Sequence, residues 1–306
     1  GNIVSPQNVI DQHGADVLRL WVVGSDYSED LRIGPEILKR NADIYRRLRN
    51  TLRYLLGNLA GFDESERVGM DEMPELERWV LHRLWQLDRH LRQACNDFQF
   101  HPVFAELHNF CAVDLSAFYF DVRKDSLYCD PAGDPKRRAA QTVLDEVFNC
   151  LTAWLAPFLC FTAEEAWLAR YQEEETEESV HLRTFPDIPE AWRDDDLAAK
   201  WAKIRELRRA VTGALEVERA EKRIGSSLEA HPIVYAKTGN RDLFEGLDAA
   251  ELFITSGATF SAEAAPEDAF RAEDIGGVAV QPNRAEGKKC RRCWKVFPEV
   301  GQSPDY

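Results

Sequence analysis

From Asp16 to Leu215, apolar residues recur mostly at spacings of three and four, the period of an amphipathic helix. Residues 16–27, DVLRLWVVGSDY, predict a short helix opened by an acidic cap, followed by the loop SEDLRIGPE. Four long helices are expected next. The first spans 35–59 and stops before Gly61. The second spans 74–98, with Val80, Leu84, Leu87, Leu91, Ala94 and Phe98 on one stripe. The third spans 102–124, striped by Phe104, Leu107, Cys111, Leu115, Phe118 and Val122. The fourth spans 135–171 and kinks at Pro157, where a backbone donor is missing. Stripes of this kind leave water only by packing on one another, so the expected fold is mainly α, an antiparallel helical bundle.

Between Gln172 and Arg193 the chain turns acidic and then proline-bearing (TFPDIPEAW), which marks a boundary. A fifth helix starts at Asp194-Asp195-Asp196, turns Leu197, Trp201, Ile204, Val211 and Leu215 inward, and breaks at Gly225-Ser226-Ser227. The period then drops to two in HPIVYA. A short helical RDLFEGL follows, and ELFITS and GGVAVQP read as further strands, making a small α/β module. The expected segments are 1–34, 35–178, 179–225, 226–285 and 286–306.

The helix over 35–59 carries more than a core stripe. At about 100° per residue, Lys39, Arg46, Arg49 and Arg53 fall within roughly 80° of one another. Ile37, Asn41, Ile44, Leu48, Leu52, Leu55 and Leu59 occupy the opposite sector. The plain alternative is a solvated polar face, but such a face mixes signs, and no Asp or Glu lies between Asp43 and Asp63. Guanidinium forks spaced along one face match phosphate oxygens. Arg32, just before this helix, is a candidate extension. The cations of the fifth helix alternate with glutamates and read as intrahelical pairing.

Charge changes the picture only locally. The 306 residues carry a formal net charge of -15, which argues against a surface that attracts nucleic acid as a whole, yet base gathers around 39–53, 205–223 and 288–295. No run of about 18 apolar residues is present, so no membrane span is expected. Of seven cysteines, five lack paired spacing, which speaks against a disulfide framework and for a reducing, cytoplasmic setting. The other two form KKCRRCWK. Cys290 and Cys293 read as half of a zinc knuckle, a redox dithiol, or two unrelated thiols; a structural zinc normally takes four ligands. No helix pattern follows Cys293, which disfavours the redox reading. Trp294 either packs on the metal loop or stacks an unpaired base, with Arg292 on the backbone. The seven histidines are dispersed and read as surface or cap residues.

The stretch GNIVSPQNVIDQHGADVLRLWVVGSDYSEDLRIGPEILKRNADIYRRLRNTLRYLLGNLAGF resembles the segment following the KMSKS loop of bacterial isoleucyl-tRNA synthetases, class I enzymes. HNFCAVDLSAFYFDVRKDSLYCD, ERAEKRIGSSLEA and KKCRRCWK resemble three further blocks of that family, in the same order. The resemblance covers essentially the whole chain. It implies a stem-contact segment over 1–34, a class Ia anticodon-binding bundle over 35–178, a linker and long helix, a small α/β junction over 226–285, and the start of a zinc ribbon from 286. It also implies a fragment of a longer chain, with the catalytic and editing domains before Gly1 and a second CxxC pair after Tyr306. No catalytic residue is therefore expected here. The intact enzyme would use ATP and Mg to join isoleucine to tRNA. In this segment Arg32, Lys39, Arg46, Arg49, Arg53, Arg292 and Trp294 would face tRNA, and Cys290 and Cys293 would hold zinc. A monomer that binds neither DNA nor membrane is expected. Valyl- and leucyl-tRNA synthetases share the opening style, and an acidic protein-binding scaffold is the alternative of a different class.

Overall fold

The structure, a computed structural model, describes residues 3–171 and 178–302; part of the acidic stretch at the expected boundary, 172–177, lies outside them. The chain divides into two compact units, Gly1–Asp194 and Asp195–Tyr306.

The first unit is a bundle. Two short helices, α1 (Pro6–His13) and α2 (Ala15–Val23), precede α3 (Pro35–Leu59). Then come α4 (Glu75–Asn96), α5 (Phe100–Asn109), a π-helical segment (Phe110–Tyr119), α6 (Phe120–Cys129), α7 (Pro135–Leu155) and α8 (Cys160–Arg170). Helix α7 is the axis: it packs on α3, α4, α6 and α8 and is buried nearly all round from Ala139 to Leu155, its buried polar residues such as Asp145 and Thr142 held by hydrogen bonds. The expected third helix is real but runs Phe100–Cys129 and widens to π geometry in its middle, where Ser116 Oγ donates to the carbonyl of Cys111, five residues back, at 2.8 Å.

The expected kink at Pro157 is a break. Helix α7 ends at Leu155, and the carbonyls of Pro157 and Phe158 accept from Arg19 of α2 at 2.6 and 3.1 Å. On the other side of the break the buried Asp16 carboxylate caps the start of α8. It accepts from the Thr162 amide (2.9 Å) and hydroxyl (2.6 Å), while Tyr45 of α3 lies 3.1 Å from the same hydroxyl. One turn of α2 thus caps the start of α8 and binds the two carbonyls of the break itself, and it holds α2 against the bundle.

Inside the bundle, Glu77 and Arg123 form a fully buried bidentate pair at 2.6 and 2.7 Å, and the Tyr119 hydroxyl donates to the same carboxylate at 3.1 Å. The 190–194 segment is strapped to α4. Glu190 accepts from Trp85 Nε1 and Arg89, and Nδ1 of His82 accepts from the Asp194 amide at 2.9 Å. His82 is therefore a buried cap, not a surface residue.

The second unit begins with α9 (Asp195–Ala220) and continues through β1 (Ile233–Ala236), α10 (Thr238–Arg241), α11 (Ala249–Phe253), β2 (Thr259–Ser261) and β3 (Val278–Gln281). The sheet order is β2-β1-β3, with β1 parallel to β2 and antiparallel to β3. Helix α9 covers β3 and α11. The expected strand ELFITS is instead the end of α11 and a left-handed turn at Ile254 (φ 58°). Its β-branched Ile254 and Thr255 suggest a strand. The Asp248 carboxylate, accepting from the Glu251 amide, starts a helix that buries Leu252 and sets Phe253 against Phe244 and Phe260. The strand pairing with β1 comes later, at β2.

Candidate nucleic-acid interface

Lys39, Arg46, Arg49 and Arg53 are all exposed on α3, as the wheel requires, while Leu48, Leu52, Leu55 and Leu59 are buried. The face is not wholly free of acid. Arg46 pairs with Asp43 on its own helix, and Arg49 NH2 lies 3.5 Å from Glu165 Oε1 on α8. Among the described residues, Lys39 and Arg53 have no carboxylate within ion-pair reach.

The first half of the supposedly inward sector of α3 does not reach the core. Ile37, Asn41 and Ile44 line a cleft of about 730 Å³ bounded by α2, α3 and α5. Gly24 ends α2 against the Phe104 ring at its edge; a Cβ there would sit 3.2 Å from the ring. Arg32 lines this cleft, with its carbonyl accepting from Trp21 Nε1 at 3.0 Å, and so do Arg40 and Arg47 of α3 and His101 and His108 of α5. Sequence reasoning missed Arg40 and Arg47. Their signal was present: they sit seven apart, roughly 100–120° round the helix from Arg46.

In the second unit β4 (Lys288–Lys289) and β5 (Val296–Phe297) form a hairpin around the cysteine loop. Gly287 (φ 116°) is required at its base, because a Cβ would lie 2.2 Å from the backbone of Phe297. The Val296 amide donates to Ser256 Oγ at 2.7 Å, tying the hairpin to the sheet module. The loop closes through Cys290 N to Lys295 O (2.8 Å) and Trp294 N to Cys290 O (3.1 Å). The Arg292 amide points at Cys290 Sγ, 3.4 Å away. The backbone amides of Cys293 and Arg292 hold the Cys290 thiol below its ordinary range, whereas burial raises that of Cys293. Amides turned toward sulfur suit a thiolate, the form that binds metal, so the pair fits two ligands of a zinc site. Among the described residues no third His, Cys, Asp or Glu joins them. Trp294 is held in the left-handed region (φ 64°) and is 62% exposed, with Lys289 Nζ of the same hairpin 5.7 Å from its ring centre.

Residues 77–234 match the family model of the anticodon-binding domain of tRNA ligase. The chain belongs to that family. Residues 1–34 match class I tRNA synthetases of the I, L, M and V types, and 287–306 match the zinc finger found in FPG and IleRS. The whole chain is 54% identical to an isoleucine–tRNA ligase of Caulobacter vibrioides and 50% to that of Agrobacterium fabrum, and 99% of it is 53% identical to that of Ruegeria pomeroyi. It spans 31% of the length of each of these relatives. Among solved structures it is similar to a LeuRS of Agrobacterium radiobacter K84 in a ternary complex with tRNA and LeuAMS. That likeness has a TM-score of 0.47 and 17% identity, over 63% of this chain and 22% of that one. The anticodon-binding family match runs across both compact units, from the middle of the bundle into β1.

Proposed function

We propose that this chain is the tRNA-docking and anticodon-reading part of an isoleucine–tRNA ligase, and that the exposed cationic face of α3 meets the tRNA backbone. The observation that carries this reading is that face itself, Lys39, Arg46, Arg49 and Arg53, on a helix whose other side is core, in a chain of the anticodon-binding family. Arg292 and the exposed Trp294 are assigned to an unpaired base of the anticodon loop, since an aromatic ring with flanking cations suits a splayed base. Cys290 and Cys293 are assigned to a structural zinc, which would fix the hairpin that presents Trp294. No catalytic residue is assigned; ATP and Mg belong to the part of such an enzyme that these residues do not span.

Whole-chain identity to isoleucine–tRNA ligases favours the isoleucine enzyme over its valine and leucine counterparts, and the free thiols suit a reducing, cytoplasmic setting. The test is fluorescence anisotropy with labelled isoleucine- and valine-accepting tRNAs across a salt series. Tighter binding of the isoleucine acceptor, weakening steeply with salt, is expected. Equal affinity for both would overturn anticodon reading. Absence of salt-dependent binding would favour a protein-binding scaffold.

A further inference from the structure

The hairpin that carries Trp294 is gripped at one rung from both of its strands. Lys289 and Val296 face each other across β4 and β5, the pair nearest the cysteine loop. On one strand the Val296 amide donates out of the hairpin to Ser256 Oγ at 2.7 Å, and the same hydroxyl donates onward to the Leu228 carbonyl. On the other strand Lys289 Nζ lies 3.8 Å from Glu229, whose carboxylate also accepts from the Gly225 amide at 3.1 Å. Leu228 and Glu229 are neighbours in the short turn after α9, so both strands are referred to one piece of the module. The Lys289–Glu229 pair is partly exposed and weak by itself, which leaves the serine hydroxyl as the firmer tie.

Ser256 reaches this position through a strained backbone. Helix α11 gives way at Ile254, a β-branched residue held in the left-handed region (φ 58°, ψ 52°), which such side chains avoid. Strain of this kind persists only where the surroundings over-determine it, and here they do. Thr255 is fully buried, with its hydroxyl donating to the Gly257 carbonyl at 2.9 Å, and the Ser256 amide donates to the Ala230 carbonyl at 3.0 Å. Gly257 closes against the His231 ring, where a Cβ would stand 2.5 Å from Nδ1. The turn reverses the chain after α11 and leaves the Ser256 side chain aimed at the hairpin. A hydroxyl suits that place because it accepts from an amide and donates to a carbonyl at once.

We infer that Ser256, aimed by the left-handed turn at Ile254, is a positioning residue that sets where Trp294 stands and so how well its ring meets a base. Trp294 is 62% exposed, and the Lys289–Val296 rung held by Ser256 and Glu229 is the frame from which it projects. The inference rests on the reading of Trp294 as the residue that meets an unpaired base of the anticodon loop. Ser256 itself touches no RNA, so its loss removes no phosphate contact.

The experiment titrates the whole chain with a labelled isoleucine-accepting tRNA transcript in a cycle of four proteins: the parent, Ser256→Ala, Trp294→Ala and the double variant. Ser256→Ala is expected to weaken binding about fivefold to tenfold, within the range of one stacked base, with the salt slope unchanged. In the Trp294→Ala background the same substitution should cost less than about twofold, because no ring is left to misplace. Hydrogen exchange at the Val296 amide, followed by NMR, should quicken roughly fivefold to tenfold in Ser256→Ala. Equal losses in both backgrounds would show that Ser256 acts through general stability and would overturn the proposal. Unaltered exchange at Val296 would overturn the docking itself. Weaker binding in Trp294→Ala with none in Ser256→Ala would sink the positioning role and leave the base-contact reading standing. Parent-like binding by Trp294→Ala would defeat that reading and the inference with it, whatever the exchange at Val296.

Discussion

Glu165 on α8 reaches across to Arg49 on α3, 3.5 Å away, on the face that otherwise offers only cations beyond Asp43. Both side chains are largely exposed, so the pair contributes little to stability; its consequence is electrostatic. Glu165 competes with phosphate for Arg49. Glu165→Gln is expected to tighten tRNA binding by a few-fold at low salt with no change in unfolding midpoint. Arg49→Ala/Arg53→Ala is expected to weaken binding and to flatten the dependence of log K on log salt by about one unit per lost contact. Anisotropy titrations over a salt series measure both. Unaltered slopes would move the contact surface off this helix.

The buried Glu77–Arg123 pair offers the opposite case, in which stability is the readout. Removing one partner leaves an uncompensated charge in the core, so Arg123→Met is expected to cost about 3–5 kcal/mol in urea unfolding. Replacing both, Glu77→Leu/Arg123→Met, should cost less than the single change. A double variant as unstable as the single one would mean that the carboxylate and guanidinium serve partners other than each other.

His108 predicts a pH dependence whose sign can be worked out. Burial, then Arg47 and Arg40, depress its value from the ordinary 6.5. In the window between that value and the native one, the unfolded chain binds more protons than the folded chain. Stability is therefore full above about pH 6.5 and falls as pH drops through the window. Urea midpoints of the parent should decline between about pH 7.5 and 5.5 more than those of His108→Gln. Parallel declines would assign the acid sensitivity to other groups.

Thiol chemistry separates the seven cysteines. Cys290, lowered by backbone amides, should alkylate first in metal-free protein, whereas Cys111, pushed up to about 12 by burial, should stay silent until the chain unfolds. Zinc should slow modification of Cys290 and Cys293 alone. Mass spectrometry of iodoacetamide-treated protein, with and without zinc, checks this, and protection that extends to neither cysteine would count against the metal assignment.

The spacing of apolar residues sufficed to locate α3, α4 and α9, because burying a stripe at helical period is a local demand that each segment carries within itself. It also placed Lys39, Arg46, Arg49 and Arg53 on one face and set Cys290 three residues from Cys293. Where two local signals conflicted, as the β-branched Ile254 and Thr255 did with the Asp248 cap, the strand expected at ELFITS became a helix. The packing of Phe253 against Phe244 and Phe260 accompanies that outcome.

Other features depend on residues more than a hundred positions apart and are invisible to periodicity. Glu165 faces Arg49, Asp16 caps Thr162, and Arg19 closes the break at Pro157 only because α2, α3 and α8 meet. Ile37 and Ile44 look like core on a wheel, yet they line an open cleft, since a wheel gives the direction of a side chain and not what stands opposite it. A sequence specifies which faces must leave water; the arrangement of helices decides which of them meet a neighbour and which stay open to a ligand.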